Sequence, residues 1–411
     1  MLNGVKYTKC VFPRKIVSAP SKTVVYIENL YEMQKIAIIT THPIQYNAPL
    51  FKLLAKEKGI LLKVFYTWGE ASIGPKYDPE FGKEIEWDIP LLDGYNYTFI
   101  KNTSKEPGSH HFKGIINPTL NKEIEEWSPH VLWVWGWAFD SHLKAMRYFK
   151  GKVPIWFRGD STLLDEVKGF LMKKAFRRLF LTWVYKHVDK AFYVGTHNKA
   201  YFKAHGLKEN QLVYAPHAID NGRFADPKGE FAADAKTWRT QLGIDEGSRV
   251  LLFVGKFEQK KNPFFFRKLI EKTKQKGVVG LMVGNGSLEC DLKKNAPENL
   301  LFLPFQNQSK MPVVYRLANA LVLPSQSETW GLVMNEALAS GIPIVASEKC
   351  GGAIDLISSA NGYLLKFENP DFNDLVSWID KFNIREFRTQ NADFLERFSY
   401  QKIVQQVLNE L

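Results

Sequence analysis

Two glutamates, Glu328 and Glu336, stand on either side of a glycine in the run Ser327-Glu328-Thr329-Trp330-Gly331-Leu332-Val333-Met334-Asn335-Glu336. A strand-like apolar segment, Ala320 to Leu323, ends at Pro324, and a helical pattern opens near Gly331. Glu328 therefore falls in a loop beyond a strand end, and Glu336 about one and a half turns into the helix. Both can face one ligand lying across the helix N-terminus, where unpaired backbone N–H groups favour a phosphate. Gly331 allows such a ligand to approach the chain closely.

A second charged loop is Val254-Gly255-Lys256-Phe257-Glu258-Gln259-Lys260-Lys261-Asn262-Pro263. It leaves a strand pattern and enters a helix for which Asn262 and Pro263 make a plausible start. Two cations five residues apart, Lys256 and Lys261, can straddle a diphosphate; the plain alternative is a solvated lysine-rich turn. Next comes Val283-Gly284-Asn285-Gly286-Ser287-Leu288, a Gly-x-Gly turn between strand and helix, which by itself is equally consistent with a tight connection. The strand after it ends at Pro304-Phe305. In the first half, Trp156-Phe157-Arg158-Gly159-Asp160-Ser161 leaves another strand end, and Asp160 is either a partner for a ligand hydroxyl or a helix cap. The loop Thr41 to Asn47 has no glycine, so it cannot cradle a phosphate in the usual way; His42 there either shapes an acceptor or caps a strand.

These loops need strands and helices to hold them. Short apolar runs alternate with helical patterns along the chain, which indicates parallel sheets covered by helices. The first-half strands are expected at Lys35–Thr40, Leu62–Thr67, His130–Trp135, Pro154–Phe157, Lys190–Gly195 and Gln211–Tyr214, with a helix capped at Asn117-Pro118. A second alternation runs from Val250–Val254 through helix Pro263–Lys276 and strands Val278–Val283, Leu300–Leu303, Ala320–Leu323 and Ile344–Ala346. The expected fold class is α/β, with two Rossmann-like doubly wound parallel-sheet domains facing a cleft. The first domain is placed at residues 35–225, a linker at 226–248, the second domain at 249–383, and a C-terminal helix at 384–411 packing back on the first domain. Residues 1–34 are set apart as a disordered leader or a misassigned start, with Met33 as the alternative start.

The Glu328 segment, with its trailing Glu336-Ala337-Leu338-Ala339-Ser340-Gly341-Ile342-Pro343, resembles the Glu-x7-Glu motif of the family 4 glycosyltransferases, which are retaining enzymes of the glycosyltransferase-B fold. The resemblance extends from about Lys35 to the end. It implies that Glu328 touches a transferred sugar and Glu336 the ribose hydroxyls of a nucleotide sugar. Gly255, Lys256, Lys261, Gly284, Gly286, Phe305, Trp330, Gly331 and Leu332 then line the donor site, and Glu328, Lys256, Lys261 and Asp160 carry catalysis. The family usually has Arg where Lys256 stands, and Lys keeps the charge but loses the bidentate fork. Relatives often have His-Asp at the Asp160 loop, where this chain has Gly159-Asp160. The segment Tyr214 to Phe224 resembles the family's interdomain segment, with His217 in place of Asn.

What the resemblance implies is sugar transfer from a nucleotide diphosphate to a saccharide or lipid-linked saccharide, with no cofactor and no metal, in surface polysaccharide or glycolipid synthesis. A sugar-nucleotide epimerase or a phosphorylase shares the architecture, and a non-catalytic sugar-binding subunit is a further alternative. The formal charge of +12 also permits nucleic-acid binding. Nothing in the sequence matches a helix-turn-helix, an aromatic RNA-binding sheet or zinc-finger spacing, so no nucleic-acid partner is expected. Much of the charge lies in Lys168 to Val188, a helical stretch of interleaved basic and aromatic residues. It reads either as contact with an anionic membrane or as a core helix with a solvated basic face. Three scattered cysteines, Cys10, Cys290 and Cys350, fit a reducing compartment, and no apolar run is long enough to span a bilayer, so a cytoplasmic site is expected.

Overall fold

The computed structural model describes residues 33–78, 81–166, 171–382 and 392–411. The leader through residue 32, Lys168, and residues 383–391 lie outside the described residues.

The first lobe contains β1 (Gln34–Thr40), β2 (Ile60–Tyr66), β3 (Lys76–Asp78), β4 (Lys83–Ile85), β5 (Asn96–Phe99), β6 (Val131–Trp135), β7 (Ile155–Arg158), β8 (Lys190–Tyr193) and β9 (Leu212–Tyr214). Seven of these pair in parallel in the order β5-β2-β1-β6-β7-β8-β9, while β3 and β4 form a separate antiparallel hairpin. The second lobe contains β10 (Arg249–Val254), β11 (Val278–Val283), β12 (Leu300–Leu303), β13 (Ala320–Leu323), β14 (Ile344–Ser347) and β15 (Gly362–Leu365). Its six parallel strands run β12-β11-β10-β13-β14-β15. The central strands are buried on both faces (Ile36, Ala37, Ile38 and Ile39 are fully inaccessible), as a sheet covered by helices on each side requires. The two parallel sheets are those expected from the alternation of the sequence.

In each lobe the order reverses beside the first strand, between β1 and β6 and between β10 and β13. Loops leaving the carboxyl ends of such strand pairs diverge to opposite faces, and a crevice opens between them. The Lys256–Lys261 loop follows β10 and the Glu328 loop follows β13, so both border the reversal point of the second lobe.

Some elements differ from the sequence expectation. The edge strand β5 and strand β4 carry partly exposed, mixed side chains, so no apolar run marks them; β15 is a short edge strand that begins at a glycine. Asn117 is not a helix cap: the helix is Leu120–Trp127, and the Asn117 amide instead donates to the carbonyls of Thr67 (2.9 Å), Lys101 (3.0 Å) and Ile100 (3.3 Å). The polar stretch after Phe224, expected as a linker with a short helix, does hold one, Glu230–Gln241, whose first turn is capped by the Asp226 carboxylate accepting from the Phe231 and Ala232 N–H groups. Tyr400, Ile403, Val404 and Val407 of the last helix, Tyr400–Glu410, are buried in the same cluster as Ile36, Phe51 and Trp133 of the first lobe.

His142 is fully buried, with Nδ1 2.7 Å from the Gly136 carbonyl and Nε2 2.8 Å from the Thr67 hydroxyl. Burial pushes its pKa down to about 4, against the pull of the Gly136 carbonyl. Between that value and the ordinary value near 6.5 the unfolded chain binds a proton that the folded chain does not, so stability rises with pH across this window. Acidification from neutrality to pH 4 is expected to cost about 3 kcal/mol through this one residue. Urea midpoints measured against pH test this: His142→Gln should flatten that part of the slope.

Candidate active site

Three loops of the second lobe form one floor. Gly255, Gly284 and Gly286 have φ of +145°, +148° and +158°. A Cβ on Gly284 would lie 2.0 Å from the Gly255 carbonyl oxygen, and one on Gly286 2.6 Å from the Phe257 nitrogen. The Phe257 N–H donates to the Asn285 carbonyl and the Phe305 N–H to the Asn285 side-chain oxygen, each at 2.9 Å. The small residues of the Gly-x-Gly turn thus let the loops after β10 and β11 touch backbone to backbone, and the Asn285 side chain ties in the loop after β12.

The fourth loop, after β13, is tied to the lysine loop at three points. The Gln326 N–H donates to the Lys260 carbonyl at 2.8 Å, and the Asn262 amide donates to the Pro324 carbonyl at 3.2 Å. The Lys261 ammonium meets the Glu328 carboxylate directly. Asn262 begins the Pro263–Thr273 helix in a left-handed conformation (φ 52°) and makes no side-chain cap bond; its amide is used between loops instead. The Glu328 backbone is held in turn by Lys349 and Gly351: its N–H donates to the Lys349 carbonyl, and its carbonyl accepts from the Gly351 N–H. Gly331, at φ 93°, then opens the Leu332–Ala339 helix. The Leu332 and Val333 N–H groups at its start have no acceptor within the helix, as helix geometry dictates, while the Met334 N–H donates to the Gly331 carbonyl at 2.9 Å.

Lys256 stands at the other end of the lysine loop, 3.1 Å from the Asp78 carboxylate and 5.0 Å over the Phe81 ring. Phe305 packs edge-on against Phe81 at 5.1 Å and lies 4.3 Å from the Lys83 ammonium. The β3–β4 hairpin of the first lobe and the residues after it therefore reach the loops of the second. The Asn307 amide donates to the Glu86 carbonyl, and the Ser309 N–H and hydroxyl donate to Asp88.

Glu336 is 2% exposed. Tyr46 donates its hydroxyl to one carboxylate oxygen at 3.0 Å and Tyr315 to the other at 2.6 Å. Burial pushes the carboxyl pKa up, and the tyrosine hydroxyls and the Arg223 charge pull it part of the way back. Since Tyr46 follows β1, this contact joins the lobes. Trp330 is also buried, its indole N–H donating to the Asn335 side chain at 2.8 Å. Its ring lies 5.4 Å from that of His217 and against Gly195, so it fills the seam between the lobes, while Leu332 is half-buried.

Asp160 arrives from the end of β7. Its carboxylate lies 3.5 Å from His217 Nε2, long for a hydrogen bond, and pairs with the Thr329 side chain next to Glu328. Desolvation at the seam opposes ionisation of Asp160, yet the imidazole and the hydroxyl outweigh it and hold the pKa below the ordinary value. Desolvation pushes His217 below its own ordinary value, against the pull of Asp160. The Asn335 amide donates to the His217 carbonyl, and buried Arg158 clamps the Ala215 and Pro216 carbonyls just before it. As for the helix-cap alternative, the short turn Leu163–Asp165 starts after Thr162, not Asp160.

The structure thus gathers Lys261, Glu328, Asp160 and the Gly331 helix start at one place, with Lys256 and Phe305 at the other end of the same floor. A cavity of about 820 Å³ lies on the first-lobe side and is lined by His42, Trp68, Trp87, His110, Asp78 and Lys256. Tyr46, Tyr315, Asp78 and Thr329 are partners that sequence reasoning missed. No spacing links them to the residues they meet, and only His217 left a trace, as a substituted position in the interdomain segment.

Residues 234–386 match the family model described as glycosyl transferases group 1. An uncharacterized glycosyltransferase of Methanocaldococcus jannaschii is 26% identical over 186 residues, 42% of this chain and 47% of that protein. A D-inositol 3-phosphate glycosyltransferase of Segniliparus rotundus is 30% identical over 172 residues, 39% of this chain and 37% of its own length. The chain matches less than half the length of these curated relatives. Among solved structures, sucrose-phosphate synthase from Thermosynechococcus elongatus superposes with a TM-score of 0.67 at 19% identity, covering 92% of this chain and 98% of that one. Anabaena HepE in complex with UDP superposes at 0.66 and 15% identity, covering 92% and 99%. Such likenesses establish the fold over nearly the whole chain. Residues 234–386 are thus similar in sequence to the group 1 glycosyl transferases, and the chain as a whole has the glycosyltransferase-B fold.

Proposed function

We propose that this chain transfers a sugar, with retention at the anomeric carbon, from a nucleotide-diphosphate sugar to a saccharide or lipid-linked saccharide acceptor. The observation that carries the reading is the meeting of Lys261 with Glu328 at the reversal point of the second sheet, beside the helix start at Gly331. A diphosphate there meets a cation and backbone N–H groups, and the attached sugar meets a carboxylate. In the reaction the bond from the anomeric carbon to the phosphate oxygen breaks, with its electron pair leaving on the diphosphate. The acceptor oxygen bonds to that carbon from the same face, and its proton passes to the departing phosphate. Lys256, Lys261 and the amides at Gly331 and Leu332 stabilise the charge as it develops, and preorganised charges of this kind are the largest catalytic contribution in many enzymes. No metal and no cofactor enter the reading. The acceptor is assigned to the cavity beside His42, Trp68 and Trp87, and Asp160 is the group assigned to its hydroxyl.

The wider role proposed is surface polysaccharide or glycolipid synthesis at the cytoplasmic face of a membrane, with peripheral contact to anionic lipid. Among the described residues no helix is long and apolar enough to cross a bilayer.

Thermal stabilisation by UDP-, GDP- and ADP-sugars, followed by product analysis with saccharide acceptors, tests the proposal. A donor at a hundred times its dissociation constant should add about 2.7 kcal/mol of stability. No stabilisation by any nucleotide sugar, or a gain that survives Lys261→Ala unchanged, would overturn it. One further consequence concerns Lys256, which must exchange Asp78 for the diphosphate when donor binds. Asp78→Asn is expected to tighten donor binding roughly two- to fivefold, the size of a partly exposed ion pair, as read by calorimetric titration.

A further inference from the structure

We propose that the Leu171–Tyr185 helix is a docking surface for an anionic phospholipid bilayer. Its fifteen residues carry Lys173, Lys174, Arg177 and Arg178 and no acidic residue. Met172, Phe176, Leu179, Phe180 and Trp183 recur at intervals of four, three, one and three, which at 100° per residue places them on a single stripe about 100° wide. That stripe faces solvent: Met172, Phe176 and Leu179 are 74%, 71% and 69% exposed, and Phe180 and Trp183 are 44% and 38% exposed. The opposite side of the same helix, Leu181, Val184 and Tyr185, is buried in the first-lobe core. The helix is thus anchored by its C-terminal half, and it presents a second apolar face that stands largely in solvent at Met172, Phe176 and Leu179.

Packing explains the buried face; it does not explain the outward one. A helix solvated for its own sake puts its charges outward and its Phe and Leu inward, and here large apolar side chains stand in water beside the cations. Lys173 and Arg177 border the stripe along one edge, and the Arg147 guanidinium lies 5.6 Å over the Trp183 ring at its end. Phe180 continues the apolar surface to Trp137, 5.6 Å away. Apolar side chains that enter the acyl boundary while adjacent cations meet phosphate headgroups match the chemistry of a bilayer interface, and the aromatic residues suit the depth between them. A second copy of the chain fits poorly, because two such helices face to face would bring eight like charges together without an acid on either.

The inference deepens the proposed work at a membrane face and rests on it for its biological sense. Its test needs neither donor nor acceptor, so failure of one leaves the other standing. The full chain is floated with vesicles of equimolar phosphatidylglycerol and phosphatidylcholine, and with vesicles of phosphatidylcholine alone. Partition is expected on the anionic vesicles, falling as salt is raised. The double variant Phe176→Ser with Leu179→Ser should lower it roughly tenfold or more, and so should Lys173→Glu with Arg177→Glu. Both pairs are exposed, and an unchanged melting temperature shows that the lobe is intact. Equal partition on both vesicle types, none on either, or wild-type partition by either variant overturns the proposal. So does a dimer that the serine variant dissociates in a protein that does not float.

Discussion

Replacing Lys261 by alanine is expected to lower kcat/KM for the nucleotide-sugar donor by roughly ten- to a hundredfold, the size of one lost charge-assisted contact of about 1.5–3 kcal/mol. The expectation follows from position as much as from charge. Lys261 is held at the floor of the crevice by the bonds from Gln326 to Lys260 and from Asn262 to Pro324, and its ammonium rests on Glu328. Alanine removes the cation that would face the diphosphate. It also leaves Glu328 uncompensated, where a second negative charge is to bind. Both effects act in the same direction. Lys261→Arg keeps the charge and should recover much of the loss, whereas Lys260→Ala, at an exposed neighbour of the same type, should leave the rate within about twofold, as surface changes usually do. Steady-state kinetics on the four proteins checks the argument. Equal losses for Lys260→Ala and Lys261→Ala would mean that only the general basicity of the loop matters.

The second large effect is expected in stability. Glu336→Ala removes the acceptor of two tyrosine hydroxyls, Tyr46 and Tyr315, from a residue 2% exposed. Each buried donor left without a partner costs about 1–3 kcal/mol, so a loss of about 2–4 kcal/mol is expected, the Tyr46 hydroxyl having some access to water. Glu336→Gln keeps the volume and one carbonyl acceptor and should lose less than half as much. Urea unfolding of the three proteins measures this. Because Tyr46 follows β1 and Tyr315 belongs to the second lobe, the alanine variant should also loosen the seam between lobes, giving faster proteolysis before global unfolding. A Glu336→Ala protein as stable as wild type would show that the tyrosines find other acceptors at no cost.

Much of the scaffold was legible in the chain. Strand β1 was expected at Lys35–Thr40 and spans Gln34–Thr40, and Val278–Val283 and Leu300–Leu303 match residue for residue. β1 and Val278–Val283 are central strands, and a central strand of a covered parallel sheet must be apolar on both faces; Leu300–Leu303 lies at a sheet edge, yet all four of its residues are apolar. An edge strand need not be, and Asn96–Phe99, polar at Asn96 and Thr98, left no comparable mark. At the site, Glu328 and Lys261 could be named because each lies just past a strand end, where side chains reach a crevice. The glycines of Gly284-Asn285-Gly286 were visible too, but whether they make room for a ligand or for each other's loops was not. The structure shows their Cβ positions occupied by the backbone of Gly255 and Phe257.

Partnerships were the part that could not be read. Tyr46 and Glu336 are 290 positions apart, Asp160 meets His217 from another strand end, and Asn262 gives its amide to Pro324 instead of capping its own helix. The sequence by itself determined the alternation of elements, the loops that carry charge and the resemblance that names the chemistry. Periodicity and turn preferences act over a few residues, so they are written locally. The tertiary structure alone decided which carboxylate each lysine meets, which tyrosines hold Glu336, and that the apolar stripe of the Leu171–Tyr185 helix faces outward. Contacts at 3 Å depend on how two sheets and their crossovers are placed in space, and no local pattern encodes that placement.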